Sequence, residues 1–250
     1  MKTLKIIFTG FFILSLLPNA FSQSEDKVWL FDEITVKPEQ HDNFVSSLRE
    51  IMKLFKENGY PYDVQTYSSL IGFKYYGVRE LASPSSYEEV RAATSECWSK
   101  IDREIYDNYV QCFESNKQFV LRELGKYSYH PEQPRVGWSE FNYAVWDVQY
   151  VKSDKVQEYY EILEKFNELL NKHNFDDPIL MLSGMVGTEN PMFIGALFGK
   201  DDIDMTQQNR KMWEALGEEG GELYRKMIPL LRDREKMEFW FRRGLSYTKD

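Results

Sequence analysis

A chain of 250 residues that is 42% hydrophobic, 16% aromatic and 28% charged has ample material for a packed core, which excludes wholesale disorder. The formal net charge of −9, from 31 basic and 40 acidic residues, argues against nucleic acid or an anionic membrane surface as the main partner. Two cysteines cannot make a disulfide scaffold.

The first segment carries an address. Lys2 and Lys5 precede an apolar stretch over 6–17, which Pro18 and Asn19 end. Ala20-Phe21-Ser22 then places small residues at the third and first positions before a cleavage point between Ser22 and Gln23. This is the pattern of a secretory signal peptide over 1–22, so the protein is expected to be secreted or periplasmic. A spanning helix needs about 20 apolar residues. The run is too short, and no second one of that length follows, so no membrane span is expected in the mature chain.

Aromatic and β-branched residues over 28–36 predict a strand. Pro38 opens a helix in which Phe44, Leu48, Ile51, Met52 and Phe55 recur at helical spacing, and Asn58-Gly59 stops it. A strand pair over 64–72 and 73–81 follows. A second helix from Ser85-Ser86 puts Val90, Thr94, Cys97, Ile101, Ile105, Tyr109 and Cys112 on one stripe, and a strand over 119–127 closes the set. Residues 131–139, with Pro131, Pro134 and Gly137, form a linker. The same order then returns: a strand over 142–151, a helix after Ser153, strands over 179–187 and 192–198, a helix from Asp204 and a strand over 237–245.

The return is in register. Val36-Lys37 recurs 115 residues later as Val151-Lys152, and the same offset carries Asp32 onto Asp147, Leu48 onto Leu163 and Gly72 onto Gly187. Three extra residues near 188–192 change the offset to 118, at which Gly77 meets Gly195, Glu104 meets Glu222 and Tyr129 meets Tyr247. The expectation is an α+β chain of two tandem ferredoxin-like units, each β-α-β-β-α-β, over 23–130 and 140–250.

A strand, a Val36-Lys37-Pro38 entry into an amphipathic helix, a hairpin, a second helix and a closing strand resemble the dimeric α+β barrel superfamily, which includes antibiotic-biosynthesis monooxygenase-like and NIPSNAP-like domains. The resemblance covers 28–129 and 142–247. It implies that the two copies pair back to back as an intrachain pseudo-dimer, one dimeric α+β barrel in a single chain. One departure stands out: relatives often carry Pro-Gly after the first strand, whereas Glu39 follows Pro38 here and Ser153 stands in the second copy. Haem-binding relatives place a histidine on a helix facing the sheet, and His173 is the nearest eligible residue.

Asp32 and Asp147 are the foremost candidate site residues. Each sits mid-strand between apolar neighbours, where a carboxylate must be paired, neutralised or used. Arg79, Arg122, Arg242 or a tyrosine hydroxyl would hold such a carboxylate structurally. Tyr129 and Tyr247 end the closing strands and are placed to cap a cavity mouth. Gly217-Glu218-Glu219-Gly220-Gly221 interrupts the last helix, either as an opening beside a pocket or as a loop of no consequence.

The three histidines, His41, His130 and His173, share no metal-ligand spacing, and no nucleophile elbow is present, so no metal and no cofactor are expected. Cys97 and Cys112 on one helix would lie about 22 Å apart, too far for a disulfide.

Three functional readings remain. The first is a binding module for a small apolar or aromatic ligand. The second is a cofactor-independent monooxygenase or isomerase with Asp32 or Asp147 as base. The third is a structural or protein-interaction module without a ligand.

Overall fold

The computed structural model describes residues 26–137 and 139–249; the expected signal peptide over 1–22 lies outside them. Eight strands form: β1 (Val28–Val36), β2 (Gln65–Ser69), β3 (Lys74–Leu81), β4 (Phe113–Glu123), β5 (Tyr143–Val151), β6 (Ile179–Gly184), β7 (Met192–Gly199) and β8 (Leu231–Phe241). Among the described residues five α-helices accompany them: α1 (His41–Glu57), α2 (Tyr87–Ser99), α3 (Arg103–Val110), α4 (Val156–Lys172) and α5 (Asp202–Met227). Among the described residues no helix is long and apolar enough to cross a membrane.

The strands close into one antiparallel barrel in the order β1-β3-β2-β8-β5-β7-β6-β4. This corrects the expectation of two ferredoxin-like units. β2 pairs with β8, setting Tyr67 opposite Phe241, and β4 pairs with β6, setting Leu121 opposite Gly184. Edge strands left open would expose unpaired backbone groups, and each part of the chain covers the other's edges. The interior is shared as well. Phe31, Tyr76 and Leu121 pack with Trp146, Ile194 and Phe239 in one cluster, so neither part of the chain owns a separate core there.

Alternation along β1 explains how one sheet serves two cores. Phe31 faces the barrel interior cluster, while Ile34 and Val36 face a second cluster built with Phe44, Leu48, Ile51 and Phe55 of α1. Those four α1 residues recur at helical spacing and are all buried. A third cluster sits under the other helices, where Tyr159, Leu163 and Leu170 of α4 meet Met212, Leu216 and Leu223 of α5. The layers are therefore helices, barrel wall, barrel interior, barrel wall and helices again.

Several boundaries differ from those read in the sequence. The closing strands begin earlier, at Phe113 and Leu231. The long helix expected from Ser85 through Cys112 is two helices, because Asp102 leaves the helical conformation and its carboxylate caps α3 by accepting from the Glu104 amide at 2.8 Å. The second long helix runs on to Met227, bent at Gly217, whose φ of 55° suits glycine. Cys97 and Cys112 are free, buried thiols, the first in α2 and the second in the turn between α3 and β4.

Candidate functional site

The outer faces of β1, β3 and β4 and the helices α1, α2 and α3 enclose a cavity of about 750 Å³. Three features create it. The chain parts between α2 and α3, Gly77 adds no side chain beside Asp32, and Ile34 and Phe44 in the lining carry no polar atom that could reach Asp32. Its walls are aromatic, with Phe44, Tyr75, Trp98, Tyr106, Tyr109 and Phe113 among them.

One polar cluster breaks the apolar floor. Arg79 and Gln118, on the strands flanking β1, each hydrogen-bond one carboxylate oxygen of Asp32. The Arg79 Nε also donates to the Tyr60 hydroxyl at 3.0 Å, which shares a 2.8 Å hydrogen bond with Thr94 on α2. Tyr87 donates to the Gln118 side-chain oxygen at 2.9 Å. The Arg79 side chain is only 8% exposed and that of Asp32 18%, so the pair sits at the inner end of the cavity. Burial pulls the Arg79 guanidinium down, but the Asp32 charge and the Tyr60 hydroxyl carry it above the usual arginine value. Burial, reinforced by Asp32, also pushes the Tyr109 hydroxyl up.

Asp147 occupies the matching register, opposite Gly195 as Asp32 is opposite Gly77. Its surroundings are filled. Arg234 donates to it from Nε at 2.6 Å and from Nη2 at 2.9 Å, and Gln149 donates at 2.6 Å. The buried Tyr159 hydroxyl donates to Gln149 at 2.7 Å, and Arg234 also reaches the Tyr224 hydroxyl of α5. Asp147 therefore lines neither this cavity nor the second one inside the barrel, and the structure does not bring the two aspartates together. Gly217 at the kink lines neither aromatic-walled cavity; a polar crevice of about 340 Å³ lies further along, beside Glu219 and Glu222. The opening is in the other half of the barrel, where α2 and α3 part.

Tyr129 lies away from both cavities and donates to the Phe175 carbonyl at 2.6 Å. Tyr247 sits at the edge of the barrel-interior cavity, where its hydroxyl donates to the Tyr60 carbonyl at 2.7 Å. It thus supports the residue that holds Arg79. Sequence reasoning missed Gln118, Tyr60 and Thr94 as neighbours of Asp32. Gln118 was within reach, since it lies on a strand that pairs beside Asp32, but that requires knowing that β4 flanks β1.

The histidines do not suit a histidine-ligated haem in the large cavity. His173 is the exposed C-cap of α4, His41 shares a 2.7 Å hydrogen bond with the Tyr75 hydroxyl from outside the lining, and His130 pairs with Glu123 at 3.1 Å. The polar groups that line the cavity are the Asp32 carboxylate, the guanidiniums of Arg79, Arg91 and Arg103, the amides of Asn116 and Gln118, and hydroxyls.

No protein-family profile matches the sequence, and no curated protein matches it either. Solved structures do share its fold. An anthrone oxidase-like protein superposes with a TM-score of 0.60 at 12% identity, covering 88% of this chain and 93% of that one. A candidate monooxygenase from Lactobacillus acidophilus NCFM gives 0.53 at 10% identity, over 90% of this chain and 97% of that one. Chlorite dismutase from Candidatus Nitrospira defluvii gives 0.53 at 11% identity, over 88% and 93%. These proteins belong to the dimeric α+β barrel superfamily that the sequence resembles, and at such identities the likeness is one of fold.

Proposed function

We propose that the chain binds a small planar aromatic molecule bearing hydroxyl donors in the cavity beneath α1, α2 and α3. The carrying observation is an aromatic-walled cavity of about 750 Å³ whose floor holds one compact polar cluster, Asp32 with Arg79 and Gln118. That volume falls within the usual range of small-molecule sites, about 300–1,000 Å³, and a few convergent polar groups in an apolar pocket fix a ligand's orientation. Asp32 has acceptor capacity left for a phenolic donor, while the ion pair with Arg79 leaves the floor without net charge, which favours a neutral ligand. The N-terminal pattern over 1–22 supports a protein that meets this ligand outside the cytoplasm.

A second reading is cofactor-independent oxygenation of the same ligand. Fold neighbours named as anthrone oxidase-like and as a candidate monooxygenase support it.

Quenching of tryptophan fluorescence by 1,8-dihydroxyanthraquinone tests the binding site, with Trp98 in the wall as reporter. Saturable binding is expected in the wild type. Ser95→Trp, at an exposed rim position, is expected to weaken it at least tenfold by filling the mouth. Unchanged affinity in that variant, or no saturable binding of any hydroxylated polycycle, overturns the reading. Oxygen uptake with 1,8-dihydroxyanthrone, lost in the same variant, separates oxygenation from simple retention.

A further inference from the structure

A second cavity, about 540 Å³, opens inside one end of the barrel. Its wall is the apolar interior itself: Trp29, Phe31, Phe141, Trp146, Leu182 and Phe198. Space remains because Ala196 presents a small side chain opposite Leu180, and because the centre of the barrel is already closed by the cluster around Tyr76 and Phe239. The result is an apolar sleeve with one polar rim.

Two acids at that rim meet basic side chains and a third, Asp63, meets a backbone amide. Lys27 pairs with Glu80 at 3.4 Å, Glu123 with His130 at 3.1 Å, and Asp63 accepts from the Lys249 amide at 2.8 Å. Arg243 is different. Its Nη2 donates to the Phe141 carbonyl at 2.7 Å and its Nε to the Asn142 side chain at 3.2 Å, and its guanidinium lies 4.7 Å from the Phe241 ring centre. All three partners are uncharged, and among the described residues Arg243 makes no ion pair with a carboxylate. Its field still reaches inward, since it opposes the upward push that burial gives the Tyr67 hydroxyl within the cavity. An exposed guanidinium held by neutral acceptors retains N–H capacity for a carboxylate in a planar, two-point contact.

We infer that the open end of the barrel binds a long-chain apolar carboxylate, its tail among Trp29, Phe141, Trp146 and Phe198 and its carboxylate on Arg243. In the large cavity under the helices Arg79 is already paired with Asp32, Arg91 with Glu88 and Arg103 with Asp107, so the two sites select different ligands. This site is independent of the aromatic-ligand reading.

Titration calorimetry with dodecanoate and dodecanol, on the full chain, tests the inference. Dodecanoate is expected to bind at one site per chain. Arg243→Gln should weaken it about tenfold, to the level of dodecanol, which the substitution should leave unchanged. Ser95→Trp, which fills the other cavity, should not affect dodecanoate. A diazirine-bearing dodecanoate should cross-link to peptides containing Trp29, Phe141 or Phe198 in the unsubstituted protein, a result that does not depend on how any variant folds. Absence of binding, equal affinity for acid and alcohol in the wild type, or cross-links confined to Trp98 and Tyr106 would each overturn it.

Discussion

The two outer faces of the barrel present the same carboxylate in the same strand register, yet one face is hollow and the other solid. Opposite Gly77, Asp32 takes its arginine from β3; opposite Gly195, Asp147 takes its arginine from β8. The residue two further along the strand is Ile34 in the first case and Gln149 in the second, and the aromatic above it on the helix is Phe44 or Tyr159. Gln149 and Tyr159 hydrogen-bond into a chain that fills the space down to Asp147, whereas Ile34 and Phe44 cannot. The helix layer differs in the same sense, with α2 and α3 parted on the hollow side and α5 continuous but bent on the solid side. A polar network thus does on one face what a ligand is proposed to do on the other.

The sharpest way to break this comparison is to remove each arginine. Arg79 is 8% exposed, and Arg79→Ala strands the Asp32 carboxylate at the floor of an apolar cavity. Breaking a buried pair from one side costs about 3–5 kcal/mol. Arg234 is 38% exposed, and water can replace it beside Asp147, so Arg234→Ala should cost only about 1 kcal/mol. Urea denaturation should show the larger loss for Arg79→Ala. Equal losses would mean that the two carboxylates sit in equivalent surroundings after all.

A smaller effect sharpens the solid side. Gln149→Ile leaves the buried Tyr159 hydroxyl without its acceptor, which should cost about 1–3 kcal/mol. Adding Tyr159→Phe removes the orphaned group, so the double variant should be more stable than the sum of the two singles by roughly 1 kcal/mol. Strict additivity in a double-mutant cycle would show that the chain from Tyr159 to Asp147 is not a unit.

How much of this was legible beforehand follows from what each feature depends on. The alternation along Val28–Val36 and the stripe Phe44, Leu48, Ile51 and Phe55 are local patterns, and both elements form where the periodicity puts them. The aspartates stood out because a carboxylate between apolar strand residues is locally anomalous. Barrel closure was not local: the pairing of Tyr67 with Phe241 joins residues far apart in sequence, and nothing in either strand names the other. The location of the cavity failed for the same reason. The glycines of 217–221 advertise a bend, but the hollow depends on Asp102 ending one helix run and on Ile34 and Phe44 lacking polar atoms. Absence of a filling group has no sequence signature. Arg79 was named as a possible partner of Asp32, while Arg234 was not considered for Asp147, because assigning it needs the register of β5 against β8.

The smallest expected effect concerns pH, and it again separates the faces. Burial, with Asp32 or Asp147 adding to it, raises the hydroxyls of Tyr109 on the hollow side and Tyr159 on the solid side. In the unfolded chain both titrate near the ordinary tyrosine value of about 10. Below that pH both states keep the proton, and the stability these groups permit is fully present. Above it the unfolded chain releases protons that the folded chain retains, so stability falls as pH rises. Tyr109 has no hydrogen-bond partner for its hydroxyl among the described residues, so Tyr109→Phe should change stability by under about 0.5 kcal/mol at neutral pH. The same substitution should flatten the alkaline decline by removing one such group. Tyr159→Phe should flatten it too, but from a lower start, because it loses the hydrogen bond to Gln149 at about 1 kcal/mol. Urea midpoints for the wild type and both variants, taken at about pH 8 and about pH 11, read both quantities. If Tyr109→Phe declines between those pH values as steeply as the wild type, the Tyr109 hydroxyl is solvated rather than enclosed, and it belongs to the mouth of the cavity rather than to its buried wall.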